Sequence, residues 1–472
     1  MKKRVIFSVF ALIFLIISTL GYFGFSNLNV VKSLNVAIRN GQFNEAIKES
    51  GNFSSKYGQF QGFLSLPIIK QSINVFGLDF SANKSNYQQL IRALPYLAGV
   101  DKSQRYLVAF QNTAEARGTG GILGAFAILK IDKGKLTIER TGSNAAMASL
   151  NEIPVPVTAE FLNLYGKNPA ILQNSNLSPH LPYGAEIWMG LWKRQTGQDL
   201  DGVIAVDPTS LSYILKSTGP INVRNKKIDY KNLVAETLKD AYKRYEKDNV
   251  SRKQYLVEIM NATAAKLMEG QFSKIEMAKA LNRGVSEGRI LIYSRNKTAE
   301  NLIAKSNLGA FLSEDLNNEY RVVVQNIDAS KLDYYLKKDI EIKSTSCNVP
   351  RKTTVSVIVT NTLKSGKGLP AYVLTRADKG KPADLVTGQH KFKVFIYGPV
   401  GSSIVSAWRE NLEYGIGGQA KERMRPVMVM EVDLKPLQSE KLQVNFAGGN
   451  GEVKFVDQPL VIPTNIAIKG GC

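Results

Sequence analysis

At 472 residues the chain is too long for one ordinary core, so about two to three domains are expected. A hydrophobic fraction of 44% excludes general disorder, and 61 Lys plus Arg against 40 Asp plus Glu, a formal net charge of +21, favour anionic partners such as phosphates, acidic polymers or lipid headgroups. No zinc-finger, helix-turn-helix or RNA-recognition signature accompanies the charge, so nucleic acid is not the expected partner. Two cysteines, Cys347 and Cys472, exclude a disulfide framework and leave room for one bridge. Two histidines, His180 and His390, supply neither a zinc set nor material for histidine catalysis.

In chain order, the basic start Met1-Lys-Lys-Arg4 precedes Val5–Phe25, which carries no charged residue. At about 1.5 Å per residue that run crosses a hydrocarbon core of about 30 Å. Positive charge on its short side predicts a cytoplasmic N-terminus, with the bulk of the chain outside a cell membrane crossed once. A cleaved signal peptide is the rival, but no A-x-A-like site follows the run. Residues 1–26 are therefore read as cytoplasmic tip and transmembrane anchor in the lipid bilayer. Residues 27–103 read as a helical, membrane-proximal spacer: VKSLNVAIRNGQFNEAIKES pairs two helices around Gly41, Pro67 starts another, and SANKSNYQQLIRALPYL gives a further one.

Residues 104–335 alternate strands with helices and predict an α/β domain. RYLVAF and GAFAILKI read as strands around a polar, glycine-rich centre that holds Gln111, Asn112, Glu115, Arg117 and four glycines. Polar groups at the end of a buried strand, beside glycines that let a ligand approach the backbone, mark a candidate site; the bland alternative is a turn with a surface Glu-Arg pair. KGKLTIERTGS predicts a third strand. The Asn-, Ser- and Pro-rich run 151–182 predicts a loop of the kind that covers sites. AEIWMGLWKRQTG predicts a helix with Ile187, Trp188 and Leu191 inward; DGVIAVDP predicts a buried strand. A helix then starts at Asp207-Pro208 and stops at Gly219-Pro220. Residues 230–269 read as helical, GRILIY as a strand followed by a helix, and RVVVQNIDASKLDYYL as the domain's last strand and a loop. From Leu336 the period changes to two, which predicts an antiparallel, immunoglobulin-like β-sandwich over 336–472, without the Cys-Trp-Cys arrangement.

Several motifs match by spacing only. Gly118-Thr-Gly-Gly-Ile-Leu-Gly124 fails G-x-G-x-x-G because Leu123 stands where a glycine is needed, and no G-x-x-x-x-G-K-[ST] occurs. Gly284-Val-Ser-Glu-Gly288 fits G-x-S-x-G but leads from helix to strand, the reverse of a nucleophile elbow. Ser81-Ala-Asn-Lys84 lacks its partner motifs. What remains is acid plus arginine. Glu115 and Arg117 lie two apart, on one face of an extended segment. Arg244, Asp248 and Arg252 recur at four-residue steps, with Lys253 and Gln254 adjacent, which places one stripe on a helix. Arginine forks bind phosphate, and carboxylates with phosphate oxygens hold Mg²⁺.

The block QNTAEARGTGGILGAFAILKIDKGK, with DGVIAVDP, LKSTGPINV and VVVQNIDASKLDYYL, resembles a bacterial family known as domain of unknown function 4012, which has no settled activity. A more distant likeness joins the middle domain to the LytR-CpsA-Psr family, membrane-anchored extracytoplasmic α/β enzymes. These transfer glycopolymers from a polyprenyl-pyrophosphate carrier to the cell wall with Mg²⁺. RYLVAF leading to Glu115-x-Arg117 is similar to that family's strand and Asp-x-Arg, and AYKRYEKDNVSRKQ is similar to its arginine-rich helix. Lys253 and Val250 replace two of that helix's arginines, and the acid of a second motif, expected near Thr119–Gly124, is missing. The resemblance implies Glu115, Arg117 and Asp248 as catalytic residues, Glu115 and Asp248 as Mg²⁺ ligands, and Arg117, Arg244, Arg252, Lys253 and Gln254 on the pyrophosphate. The expected function is a membrane-anchored envelope protein that binds or transfers a polyprenyl-phosphate-linked glycan toward cell-wall polymer, as a Mg-dependent phosphotransferase if it is an enzyme. The alternative is a non-catalytic scaffold or polymer-binding, adhesion protein with a degenerate site.

Overall fold

The computed structural model describes residues 89, 92–93, 96–99, 102–132, 135–345, 351–374 and 386–470. The expected anchor and most of the spacer lie outside the described residues, as do Cys347, Cys472 and the Ser81-x-x-Lys84 motif. Among the described residues no helix is long and apolar enough to cross a membrane.

The first layer is a five-stranded mixed sheet. β1 (Gln104–Arg117), β2 (Gly120–Asp132) and β3 (Lys135–Ser143) form an antiparallel meander, and β4 (Gly202–Val206) lies parallel to β1 on its other side. Between β3 and β4 the chain forms α1 (Ala159–Tyr165) and α2 (Leu181–Thr196). Ile187, Trp188 and Leu191 of α2 are buried as expected, but Ala185, Met189 and Trp192 are buried too. A helix apolar all round belongs inside, and α2 sits between this sheet and the rest of the molecule. α3 (Pro208–Thr218) starts as predicted: Pro208 needs no N–H partner, the Asp207 carboxylate accepts from Ser210 N at 2.7 Å, and Gly219 ends the helix at φ +86°.

A short hairpin, β5 (Ile221–Val223) and β6 (Lys226–Ile228), precedes a helical rod that runs from Leu233 through a π turn, Glu236–Asp240, to Arg244. After a break come α4 (Asn249–Met268) and α5 (Lys274–Ser286). β7 (Ile290–Ser294), antiparallel to β4, closes the sheet in the order β3-β2-β1-β4-β7, and α6 (Lys297–Ile303) follows. Ser286 of the G-x-S-x-G match lies in α5 with its hydroxyl bonded back to Asn282 O at 2.8 Å, so no nucleophile elbow forms.

The second part is a sandwich that begins earlier than the change of pattern at Leu336. β8 (Glu319–Asn326), read from sequence as the last strand of the α/β domain, pairs instead with β11 (His390–Tyr397). Its eight residues are all buried, so alternation could not assign it to either part. The five-stranded sheet runs β14 (Gln419–Glu422), β15 (Arg425–Leu434), β11, β8 and β17 (Lys454–Asp457). The six-stranded sheet runs β13 (Leu412–Tyr414), β12 (Ser403–Arg409), β16 (Ser439–Ala447), β10 (Lys352–Asn361), β9 (Leu336–Ser344) and β18 (Asn465–Lys469). The expected antiparallel pairing holds except at two edges, where β17 joins β8 and β18 joins β9 in parallel. The two sheets enclose a core that includes Val322, Val394, Val357 and Val444.

The two parts share a core. Val323, Phe395, Tyr397 and Val427 of the five-stranded sheet pack in one cluster with Trp188, Phe161 and Leu107, and Ala116 of β1 belongs to the sandwich core. The end of β1 therefore runs into the seam between the parts.

Candidate functional site

The polar centre of the opening hairpin is strand, not loop. β1 continues past a bulge at Phe110/Gln111 to Arg117, and Gly118 and Thr119 alone turn the chain. A Cβ on Gly118 would lie 2.2 Å from Leu177 O, and one on Gly121 would lie 2.1 Å from Asn112 O. These glycines admit the protein's own backbone, not a ligand. In the run 151–182, residues 173–178 wedge against the hairpin, where the Asn176 amide donates to Gln111 Oε1 at 3.1 Å and Thr119 Oγ1 at 2.7 Å.

Arg117 is 3% exposed, and every one of its five N–H donors is used. Nε donates to Gln173 O at 2.9 Å; Nη1 donates to Ala116 O at 2.8 Å and Asn326 O at 3.1 Å. Nη2 donates to Glu115 Oε1 at 3.1 Å and Asn174 Oδ1 at 3.3 Å. No donor is left for a pyrophosphate. The other oxygen of Glu115 accepts from the Lys331 ammonium. Burial alone would push the Glu115 carboxyl up, but the Lys331 and Arg117 cations outweigh it and hold the group below the ordinary carboxylate range. Around this pair, Asp333 accepts from Ala116 N at 2.9 Å and Gln458 donates to Arg117 O at 2.6 Å. Glu115 and Arg117 thus act as a pin through the seam rather than as catalytic groups.

One step outward the balance changes. The Arg252 side chain, at the N-terminal end of α4, is 2% exposed and lies between two rings, 4.6 Å from the centroid of Tyr242 and 4.2 Å from that of Tyr372. Its one hydrogen bond is from Nη2 to Asn249 Oδ1, at 2.6 Å, and no carboxylate pairs with it among the described residues. Lys331 reaches the same Tyr372 ring, 5.3 Å from its centroid. Burial, then the charges of Arg252 and Lys331, push the Lys253 ammonium below its ordinary value. Tyr242 accepts from Asn112 Nδ2 at 2.7 Å, which ties the group to β1. Arg252 and Lys331 thus gather around two tyrosines, with Lys253 near enough to feel both charges, and the carboxylate among them, Glu115, is already shared with Arg117. Cations at a helix N-terminus are disfavoured by its dipole, which makes the arrangement costly unless an anion joins it.

The remaining expected residues fall elsewhere. The stripe Arg244, Asp248, Arg252 does not form, because the rod ends at Arg244 and the chain leaves helical geometry at Tyr245. Asp248 is exposed and caps α4, its carboxylate accepting from Ser251 N at 2.9 Å; that backbone bond holds its pKa below the ordinary value. Arg244 forks onto Glu236, which Lys226 and Tyr255 also bind, and its guanidinium faces the Tyr255 ring at 5.4 Å. Gln254 is exposed and neighbours Glu258.

Glu115 and Asp248 make no Mg²⁺ site: both oxygens of the first already face cations and the second is a helix cap. No cluster of three or more His, Cys, Asp or Glu suited to a metal occurs among the described residues. The structure adds Lys331, Tyr242, Tyr372 and Asn112 to the group. The sequence offers no site signal for Lys331 or Tyr372, which come from separate segments, whereas Tyr242 lies at the start of the block AYKRYEKDNVSRKQ.

Comparison with known proteins gives one family. Residues 101–242 match the family model described as "Protein of unknown function (DUF4012)". No curated protein matches the chain.

Proposed function

We propose that this chain, which belongs to the DUF4012 family through its residues 101–242, is a membrane-anchored, extracytoplasmic envelope protein that binds a pyrophosphate- or phosphate-bearing ligand. Arg252, Lys253 and Lys331 would hold the anion, and the ligand class that fits an envelope location is a polyprenyl-phosphate-linked glycan. The observation that carries the reading is Arg252: an arginine 2% exposed, its guanidinium between Tyr242 and Tyr372, with no carboxylate to neutralise it among the described residues. A buried charge without a counter-charge is costly, and a phosphate would supply that charge with bidentate geometry.

Binding rather than transfer is the better-supported reading. A Mg²⁺-assisted transfer needs carboxylates free to take the metal or an acceptor proton. Here Glu115 is committed to Arg117 and Lys331, and Asp248 to its cap.

The test is calorimetric titration of the purified full chain with inorganic pyrophosphate, with orthophosphate, and with a polyprenyl pyrophosphate in the same detergent. Pyrophosphate should bind, and Arg252→Ala should weaken it by about tenfold or more, the loss of a charge-assisted bidentate contact. Equal affinity in wild type and R252A would sink the proposal. Tighter binding of the polyprenyl form than of pyrophosphate would identify the carrier lipid as the source of the anion.

A further inference from the structure

The sandwich has two outer faces with opposite fates. That of the five-stranded sheet is buried against the α/β part, where Val323, Phe395 and Tyr397 meet Trp188 and Phe161. That of the six-stranded sheet is turned away from it, and its outward side chains are half-buried or exposed.

Of the chain's three tryptophans, Trp188 and Trp192 are core residues, 0% and 2% exposed. Trp408 stands half-buried on this open face. The strand registers place it in a row, Trp408 opposite Gln443 and Gln443 opposite Ser356, with Ser406, Asn445 and Thr354 forming the next row. The second row is a fixed polar ladder: the Trp408 indole donates to Ser406 Oγ at 3.3 Å, Asn445 Nδ2 to the same Oγ at 2.8 Å, and Thr354 Oγ1 to Asn445 Oδ1 at 2.7 Å. These bonds hold the ring in one orientation. Gln443 and Ser356 make no side-chain hydrogen bond among the described residues and face solvent beside it. The charges lie at the ends of the first row, at Glu413 and at Glu341, which Lys343 and Lys469 neutralise.

An indole held in place, with Glu413 on one side and Gln443 and Ser356 on the other, matches the chemistry of a pyranose: an apolar C–H face for the ring and a rim of hydroxyls that the carboxylate, amide and hydroxyl can bond. The row crosses strands about 4.8 Å apart, comparable with one sugar unit per strand. Ile358, 40% exposed and two residues from Ser356 on the same face, adds an apolar contact beside the row.

We infer that the outer face of the six-stranded sheet binds a neutral glycan chain, which stacks one pyranose on Trp408 and runs across the strands over Gln443 and Ser356. The inference is independent of the anion site and stands whether or not Arg252 binds phosphate.

The test follows indole emission of the purified full chain during titration with three probes: β-1,4-linked tetramers of N-acetylglucosamine, glucose and mannose. With Trp188 and Trp192 buried, a saturable change arises at Trp408. At least one tetramer should produce it. Trp408→Ala should weaken that tetramer by about tenfold, and Trp408→Phe less, because stacking survives. A Gln443→Ala, Ser356→Ala double variant, which leaves the core untouched, should weaken it several-fold at an unchanged melting temperature. Three tetramers without a saturable signal, or equal affinity in W408A, would overturn the inference. Self-association of the chain that W408A abolishes, with no tetramer bound, would make the face a protein contact and overturn it as well.

Discussion

Arg117 and Arg252 are both arginines buried to within 3% of complete, and they do opposite things. Arg117 spends its five donors on three segments of the protein itself, β1, β8 and the turn at Gln173 and Asn174, with Glu115 as counter-charge. Arg252 spends one donor on Asn249 and balances its charge on two ring faces. The comparison teaches that burial and charge alone do not mark a ligand site. The discriminating quantity is how much of the side chain's bonding capacity the protein leaves unused.

The largest expected effect separates the two directly. Replacing Arg117 with methionine leaves Glu115 facing Lys331 alone and frees four backbone or side-chain acceptors in the seam. We expect a loss of about 3–5 kcal/mol in unfolding free energy by chemical denaturation. Arg252→Met should leave the free chain within about 1 kcal/mol of wild type, since the lost ring contacts are offset by removal of an unbalanced charge. Pyrophosphate at a hundredfold excess over its dissociation constant should stabilise the wild type by about 2.7 kcal/mol and R252M by less than half of that. Equal destabilisation by the two variants, with pyrophosphate acting alike on both, would erase the distinction.

The sequence carried the fold further than it carried the site. The paired strands of the hairpin, the Asp207-Pro208 start of α3 and the alternating sandwich strands announced themselves through local patterns of caps, glycines and period. β8 did not, because a strand buried on both faces has no alternation to read. The sequence marks Arg252 and Lys253 but not Lys331 and Tyr372. Lys331 meets Glu115 across 216 positions of sequence, and no local signal reports such a contact. The same contact explains the misassignment of Glu115 and Arg117: a Glu-x-Arg at a strand end looks alike whether it faces a ligand or a distant lysine.

Glu300 offers the mirror image of Arg252, a carboxyl group that no cation pairs among the described residues. One oxygen accepts from Ser294 N at 2.8 Å and the other has no partner. Burial, and secondarily the charge of Glu186, pushes its pKa up to about 7. The folded chain therefore binds a proton that the unfolded chain, near 4.5, has already released. This stabilising contribution is complete below pH 4.5 and fades as pH rises through 7. Glu300→Gln should raise stability at pH 8 by about 1 kcal/mol and change it little at pH 5, read from unfolding midpoints at the two pH values. A uniform shift at both would assign the effect to packing.

Arg244 tests the other side of the comparison, because the sequence placed it beside Arg252 and the structure does not. Its partner Glu236 keeps Lys226 and Tyr255 when the arginine is removed. Arg244→Ala should cost less than about 1 kcal/mol and leave pyrophosphate affinity unchanged. A loss comparable with that of R252A would bring Arg244 back into the anion site.

The smallest effect is expected at Asp248, and its sign pattern matters more than its size. As a cap, Asp248 needs only a side-chain oxygen that accepts from Ser251 N, and asparagine supplies one. Asp248→Asn should therefore bind pyrophosphate as the wild type does. Asp248→Ala loosens the turn in which Asn249 holds the Arg252 guanidinium, so it should lower affinity slightly by loosening that hold. A metal ligand or a catalytic base would give the other pattern, because either role requires the negative charge that both variants remove. Titrations in which D248N and D248A fail together would move Asp248 from the scaffold into the site, and the reading of this helix end as a binding rather than a reacting centre would have to be given up.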